Sequence, residues 1–457
     1  MFSQVKNIFF KLSQLIFSSK RKRFLWGTVG LALCIRLAII AFASDPEHPQ
    51  MYEHGEIAHN LFSGHGFAMH WPYTTLDPER AALMKQPPQF EGAFLPPINP
   101  YIIYGTYLLF GENSTSIIFL MFFYSAISCF IPFAVFKTGM LIANERAARV
   151  SALISVFFLP GAYAVITFSG SPIYQLLGII ILYYTILGAK HPSLKTFVLL
   201  GIFCGVMTLL RSEFFMLGFI LIGLSLFFAR KKISAQTIIR RGIISFVLCA
   251  GIIAPWTYRN YMLFHTFIPV LSHPWFEMWR GNNIYATGTT LDEKGQPTWV
   301  TADKNPELIR RMDAIPYDQF FEAKVDGIFK DEVIKFIEEN PGRFLFLGVK
   351  KIAFLFTIDF SHPTSRNPFY FGPMIIVSIL TIVGLYKLIR QINPSNLPAA
   401  TIFSLFFFFY LTLTVMTVML PRYQIYIFTI GIVLTGVGIN SKIPKFVTPR
   451  TKSLQYD

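Results

Sequence analysis

The chain has 457 residues, of which 53% are hydrophobic and 16% aromatic, with 49 Phe and a formal net charge of +15. That much apolar surface exceeds what one or two soluble cores of this length could bury, which excludes an ordinary soluble globular protein. The positive charge forms no continuous stripe but sits in short clusters beside apolar runs, such as Lys20 to Arg23 and Arg230 to Arg241, which argues against nucleic-acid binding.

Acidic and basic residues are sorted along the chain. Of the 25 Asp and Glu, 20 lie in residues 44–95 and 259–342, stretches that hold only 11 of the 40 Lys and Arg. Basic gaps on one side of a bilayer and acidic loops on the other describe a polytopic membrane protein with its working surface outside. Apolar runs of the length a helix needs to cross roughly 30 Å of hydrocarbon lie near 24–43, 115–138, 147–168, 171–188, 194–210, 213–229, 242–258, 368–389, 397–419 and 421–440. The first run follows a basic cluster like a signal peptide, but its length and poor cleavage site read as an uncleaved span.

Two further runs are shorter or interrupted. Residues 96–110 open with Pro96, Pro97 and Pro100, and residues 343–358 carry Lys350 and Lys351 in mid-run. Both are expected to be half-inserted or interfacial, and counting both as spans leaves the termini in place. The expectation is therefore an all-α polytopic membrane protein with ten to twelve transmembrane helices and two folded external loops. Its segments are residues 1–43 (cytoplasmic N-terminus and first span), 44–114 (first external loop with interfacial helices), 115–258 (transmembrane core), 259–342 (second external loop), 343–440 (interfacial helix and C-terminal spans) and 441–457 (basic cytoplasmic tail). Within the second loop, turn signals accompany Trp275, Trp279 and Trp299, and a charged helix over 316–340 ends at Asn340-Pro341-Gly342. Its apolar face is expected to cover the mouth of the membrane domain. Cys34, Cys129, Cys204 and Cys249 all fall in apolar runs and form no disulfide framework or CxxC site.

The first loop and the span ends carry the chemistry. Glu53 and Glu56, three apart on a helix, share one face near the bilayer surface, where desolvation raises a carboxylate's proton affinity and suits it to general-base work; they also read simply as acids favouring a helix N-terminus. Five of the nine histidines, His54 among them, lie in this loop at spacings that match no zinc signature. A divalent ion shared between Glu53 and a substrate phosphate stays open. Arg211, beside Glu213, ends one span; Arg259 follows the Pro255-Trp256 end of another; Arg422 opens the last. Arginines at membrane level are costly unless they pair or bind an anion, so a phosphate site and plain pairing or snorkelling both fit them. Arg36, inside the first span, needs a buried partner.

Several of these stretches resemble the polytopic glycosyltransferases of the GT-C fold, in the bacterial branch related to protein O-mannosyltransferases (family 39) and to the transferase that adds aminoarabinose to lipid A. Glu53-His54, then Glu56-Ile57-Ala58-His59-Asn60-Leu61 and Gly64-His65-Gly66-Phe67, looks like the family's acidic residue, Ile-Ala-x-x-Leu helix and Gly-x-Gly-Phe turn. Pro96-Pro97-Ile98-Asn99-Pro100 and Leu209-Leu210-Arg211 resemble its Pro-Pro-x-x-Pro and Leu-x-Arg elements. The most specific likeness is Pro255-Trp256-Thr257-Tyr258-Arg259-Asn260-Tyr261, followed by Trp279-Arg280-Gly281-Asn282-Asn283; Asn340-Pro341 leading to Lys350, and Arg422-Tyr423, complete it.

The resemblance implies transfer of a sugar from a polyprenyl-phosphate donor to an external lipid, glycan or protein acceptor, at a bacterial inner membrane. It gives Glu53 the role of base or metal partner, with Glu56 beside it on the same helix face. The departing phosphate needs its charge neutralised, a role that falls to Arg259 and Arg211, with Arg422 and Lys350 in reserve. His54, Tyr258, Asn260 and Asn282 fall to the substrate loop. Two departures stand out: Glu53 occupies a position where the family usually has Asp, and Ser169-Gly170-Ser171-Pro172 lacks the second carboxylate that relatives often carry. Other readings are a polysaccharide polymerase or ligase using diphosphate-linked donors, an inactive relative acting as a scaffold, and a transporter, for which the chain shows no internal repeat.

Overall fold

The computed structural model describes residues 20–291, 300–301 and 303–439, so Trp299, the first 19 residues and the basic tail 441–457 lie outside the described residues. Helices start where a side chain takes up free backbone amides: Asp77, Asn113, Asn144, Ser193 and Ser234 each accept from an N–H two or three residues on. The first half comprises α1 (Arg21–Ala43), α2 (Tyr52–Phe62), α3 (Pro78–Leu83), α4 (Ile98–Phe110), α5 (Ser114–Ser128), α6 (Ile131–Ile142), α7 (Glu145–Phe157), α8 (Leu159–Tyr163), α9 (Ser171–Lys190) and α10 (Leu194–Thr208). The second comprises α11 (Phe214–Ala229), α12 (Ala235–Phe264), α13 (Pro274–Gly281), α14 (Pro306–Asp313), α15 (Phe321–Glu339), α16 (Pro341–Phe356), α17 (Pro368–Arg390), α18 (Leu397–Met416) and α19 (Pro421–Ile439).

The protein is an all-helical, polytopic membrane protein. Among the described residues seven helices are long and apolar enough to cross a bilayer: α1, the α5–α6 run Ser114–Ile142, α9, α12, α17, α18 and α19. The stretch expected to span as 147–168 is bent by 52° between α7 and the helix after it, where Pro160 cannot donate its backbone hydrogen bond; it counts as an eighth span if taken as one. The runs at 194–210 and 213–229 form the shorter apolar helices α10 and α11, because the chain turns at residues 209–213 instead of continuing. The two interrupted runs are the helices α4, of 13 residues, and α16, of 16.

The axis of the membrane part is α19, buried without interruption from Tyr426 to Gly438. Its glycines permit backbone contact: a Cβ at Gly436 would strike the Ala147 carbonyl of α7, and one at Gly384 of α17 would strike the Leu434 carbonyl of α19. Ser151 completes that seam by accepting from the Gly436 N–H (2.9 Å) and donating to the Val433 carbonyl (3.0 Å). The buried Arg36 finds its partners in Ser128 Oγ (2.6 Å) and the Ala32 carbonyl (3.0 Å).

The two polar stretches, far apart in sequence, build one core. Ile57, Phe67, Trp71 and Phe94 of the first pack with Trp279, Ile309, Phe321, Val325 and Phe329 of the second. Carboxylates fix the joint through backbone donors: Asp313 accepts from Leu76 N–H (2.9 Å), Glu322 from Ala93 N–H (2.9 Å), and Asp326 from Trp275 and Phe276 N–H (2.9 and 3.0 Å) at the start of α13. The apolar face of α15, expected over the mouth of the membrane domain, is instead mostly spent inside this core, because the first loop supplies Trp71 for Phe329 to pack against.

Candidate active site

A cleft of about 140 Å³ lies between this polar core and the membrane helices. Its walls come from four places: α2 (Glu53, His54), the α10–α11 turn (Arg211, Glu213), α13 with the residue before it (His273, Glu277, Arg280), and the first turn of α19 (Arg422, Tyr423). Local sequence explains each wall. Pro274 starts α13 and the spacing of three puts Glu277 and Arg280 on one face. Pro421 starts α19, which delivers Arg422 at its N-terminus.

Most charges in the cleft are paired. Arg211 donates to Glu213, whose Oε1 also accepts from Tyr410 (3.2 Å), and the guanidinium packs over the rings of Tyr174 and Tyr426, 4.9 Å from each centroid. Arg280 donates to Glu277 Oε1 (2.9 Å). Burial raises the Glu277 carboxyl, but the Arg280 and Arg422 charges outweigh it and hold it below the usual range. Burial, helped by the Arg422 charge, pushes the His54 imidazole down to about 3, and burial pushes His273 down to about 4, so both are neutral.

Glu53 and Arg422 differ from these pairs: neither makes a hydrogen bond or an ion pair among the described residues, yet both face the same cleft. The Arg422 guanidinium has ring contact with Tyr423, 5.5 Å from its centroid, and feels the charges of Glu53 and Glu277. A cation in a helix's first turn works against the macrodipole, so Arg422 and the α19 N-terminus together form a positive pole suited to an anion.

Of the residues expected from sequence, the cleft brings together Glu53, His54, Arg211 and Arg422. The others lie elsewhere. Glu56 accepts from the His70 N–H (2.7 Å) and pairs with its Nδ1 (2.8 Å), tying α2 to the following loop. Arg259 is held by Glu91 (2.9 Å) and the Gly92 carbonyl (2.6 Å), bracing the segment before Phe94. Asn260 is buried and donates to the Ile268 carbonyl (3.1 Å), while Tyr258 is 65% exposed. Lys350 lies over Phe354, 5.6 Å from its ring centroid. Its neighbour Lys351 is the buried one, donating to Asn282 Oδ1 (2.9 Å) and the Val415 carbonyl (2.7 Å), and Asn282 in turn donates to the Met416 carbonyl (2.7 Å).

Sequence reasoning missed His273 and Glu277. The signal for Glu277 was the i, i+3 acid–base spacing with Arg280 directly after a helix-starting proline. Glu277 also gives the cleft a carboxylate from α13, beside Glu53 and the paired Glu213, where the 169–172 turn offers only hydroxyls, linked from Thr167 through Ser169 and Ser171 to Tyr174. Among the described residues no three His, Cys, Asp or Glu side chains are grouped as metal ligands.

Residues 95–258 match the family described as dolichyl-phosphate-mannose-protein mannosyltransferase. No curated protein matches the chain. Among solved structures, the oligosaccharyltransferase of Archaeoglobus fulgidus tethered with an acceptor peptide containing the NVT sequon aligns over 93% of this chain and 50% of its own, with a TM-score of 0.52 and 12% identity. The archaeal oligosaccharyltransferase AglB of the same organism, in complex with an inhibitory peptide and a dolichol-phosphate, aligns over 92% and 50%, with a TM-score of 0.52 and 12% identity. ArnT from Cupriavidus metallidurans bound to undecaprenyl phosphate aligns over 90% and 77%, with a TM-score of 0.39 and 15% identity. The chain thus spans about half the length of the archaeal protein, and the likeness shows a shared fold.

Proposed function

We propose that this chain, whose fold is that of the GT-C glycosyltransferases, transfers a sugar from a polyprenyl-phosphate donor to an acceptor hydroxyl on the external side of the membrane. The observation that carries the reading is the uncommitted pair Glu53 and Arg422 facing one cleft. A second feature supports it. An open apolar groove of about 500 Å³, lined by Pro97, Ile98, Tyr101, Leu209, Pro255 and Trp256, adjoins the cleft, whose own wall includes Pro96 and Leu210. Such a groove beside Pro255 and Trp256 of α12 suits an isoprenoid chain whose phosphate reaches Arg422. The dolichol-phosphate carried by the archaeal structure belongs to the same lipid class.

In this reading the acceptor oxygen attacks the anomeric carbon as the bond from that carbon to the phosphate oxygen breaks, which inverts the configuration. Glu53 takes the acceptor proton, and the polyprenyl phosphate leaves as an anion stabilised by Arg422, with the paired Arg211 behind it. One uncommitted guanidinium suits a single phosphate better than a diphosphate. The described residues do not supply a ligand set for a divalent ion, so no step is routed through one. The external placement rests on the charge partition between loops.

The test is turnover of polyprenyl-phosphate-linked sugars by protein in lipid nanodiscs. Glu53→Gln keeps the shape and removes the base, and is expected to lower kcat by about 10²–10⁴-fold with insertion and thermal unfolding unchanged. Near-normal turnover of that variant would remove Glu53 from the mechanism.

A further inference from the structure

Three of the residues that line the cleft each carry a buried polar atom with no hydrogen-bond partner among the described residues: His54 Nδ1, His273 Nδ1 and Glu277 Oε2. Buried polar atoms in folded proteins are almost always bonded, and orphans scattered singly through a structure mean little. These three gather on one cleft, and no other orphaned residue among those described lines it. They come from α2, from the residue before α13 and from α13 itself, so both polar stretches contribute. His273 is stacked on Phe94, ring centroids 3.9 Å apart and planes 15° from parallel, which fixes the plane of its imidazole.

The donor and acceptor inventory narrows what completes such a set. The Glu277 carboxylate oxygen only accepts, whereas each imidazole nitrogen donates or accepts according to its tautomer. A ligand with several hydroxyls at close spacing satisfies all three. Charge narrows it further. Glu277 Oε1 is taken by Arg280, Arg211 is taken by Glu213, and both histidines are held neutral by burial, so the charge left unpaired in the cleft is that of Glu53 and Arg422, which the proposed transfer itself uses. An ammonium or carboxylate on the sugar would lose its hydration there without a dedicated counter-ion.

We infer that His54, His273 and Glu277 form the subsite for the transferred sugar, and that it selects an uncharged, hydroxyl-rich sugar over one bearing an amine or a carboxylate. This inference rests on the glycosyl-transfer reading given above.

The experiment uses the full chain in nanodiscs with a panel of polyprenyl-phosphate donors: a neutral hexose, its amino-sugar and uronic-acid counterparts, and deoxy analogues each lacking one hydroxyl. On the wild-type protein the neutral hexose is expected to have a kcat/KM at least about tenfold above the charged donors, and at least one deoxy donor to lose roughly 10- to 100-fold. Glu277→Gln and His273→Phe are expected to lower kcat/KM for the full hexose donor by a similar factor and to erase the deoxy penalty. Binding of bare polyprenyl phosphate, which lacks the sugar, is expected to stay unchanged and also reports that the variants are folded. A wild-type preference for a charged sugar, no deoxy penalty, or variants that weaken bare polyprenyl phosphate as much as the donor would each overturn the subsite while leaving glycosyl transfer standing. Failure of the wild-type protein to transfer any lipid-linked sugar overturns both.

Discussion

Arg422 occupies a position where a cation has little structural use. It opposes the α19 macrodipole, an effect of about 0.3–1 kcal/mol, and has no ion-pair partner among the described residues. Arg422→Ala is therefore expected to leave the unfolding temperature unchanged or slightly raised while turnover falls about 10²–10³-fold, with Arg422→Lys recovering part of it. Arg259 predicts the opposite pattern. Its guanidinium braces Glu91 and the Gly92 carbonyl, so Arg259→Ala is expected to cost about 1–3 kcal/mol in denaturation while kcat on the remaining folded protein changes little. The His70–Glu56 pair adds a pH signature. The hydrogen bond to Glu56 raises the His70 pKa against the opposing effect of partial burial, with the Gln86 carbonyl assisting. A raised folded value means that the stabilisation is full below the unfolded pKa of about 6.5 and is lost as pH rises through the folded one. Glu56→Gln should accordingly lower the unfolding temperature at pH 5.5 and have little effect at pH 9. In sequence Arg259 and Arg422 look alike, each a costly cation at a span end. Only the fold brings Glu91, 168 residues away, to one of them and nothing comparable to the other.

At the scale of elements, apolar run length and capping side chains made the helices legible, and close backbone approach decided how they pack. Gly384→Val is expected to separate α17 from α19, because the added side chain meets the Leu434 backbone carbonyl, which cannot rotate away. Overpacking of this kind costs about 1–3 kcal/mol, to be read in thermal unfolding of the detergent-solubilised protein. Where elements end was less legible. The bend at Phe158 to Pro160 and the turn at residues 209–213 interrupt runs that hydropathy alone joins into full spans. The second interruption is where the cleft gains Arg211 and Glu213, since a continuous helix would leave no turn there to present them. α13 is short and amphipathic, and no hydropathy threshold selects it, yet it brings Glu277 and Arg280.

For the whole molecule the consequential fact is that two polar stretches separated in sequence by residues 96–258 fold into one core over the cleft. Arg80 of the first stretch donates to the Met312 and Ile315 carbonyls of the second (3.0 and 2.6 Å), is buried, and lies over the rings of Tyr317 and Phe321. Arg80→Ala is expected to cost about 1–3 kcal/mol and to speed hydrogen exchange selectively in residues 303–339, with the membrane helices unaffected. Composition and charge order by themselves determined that this is a multi-pass helical protein and marked acids in its loops and arginines at its span ends as the candidates for chemistry, because burying apolar length and isolating charge are local costs written residue by residue. Which cations keep a carboxylate and which stand free, and that a carboxylate from α13 joins Glu53 at one cleft, was decided only by tertiary structure, because pairing depends on distances between segments that periodicity and hydropathy do not encode.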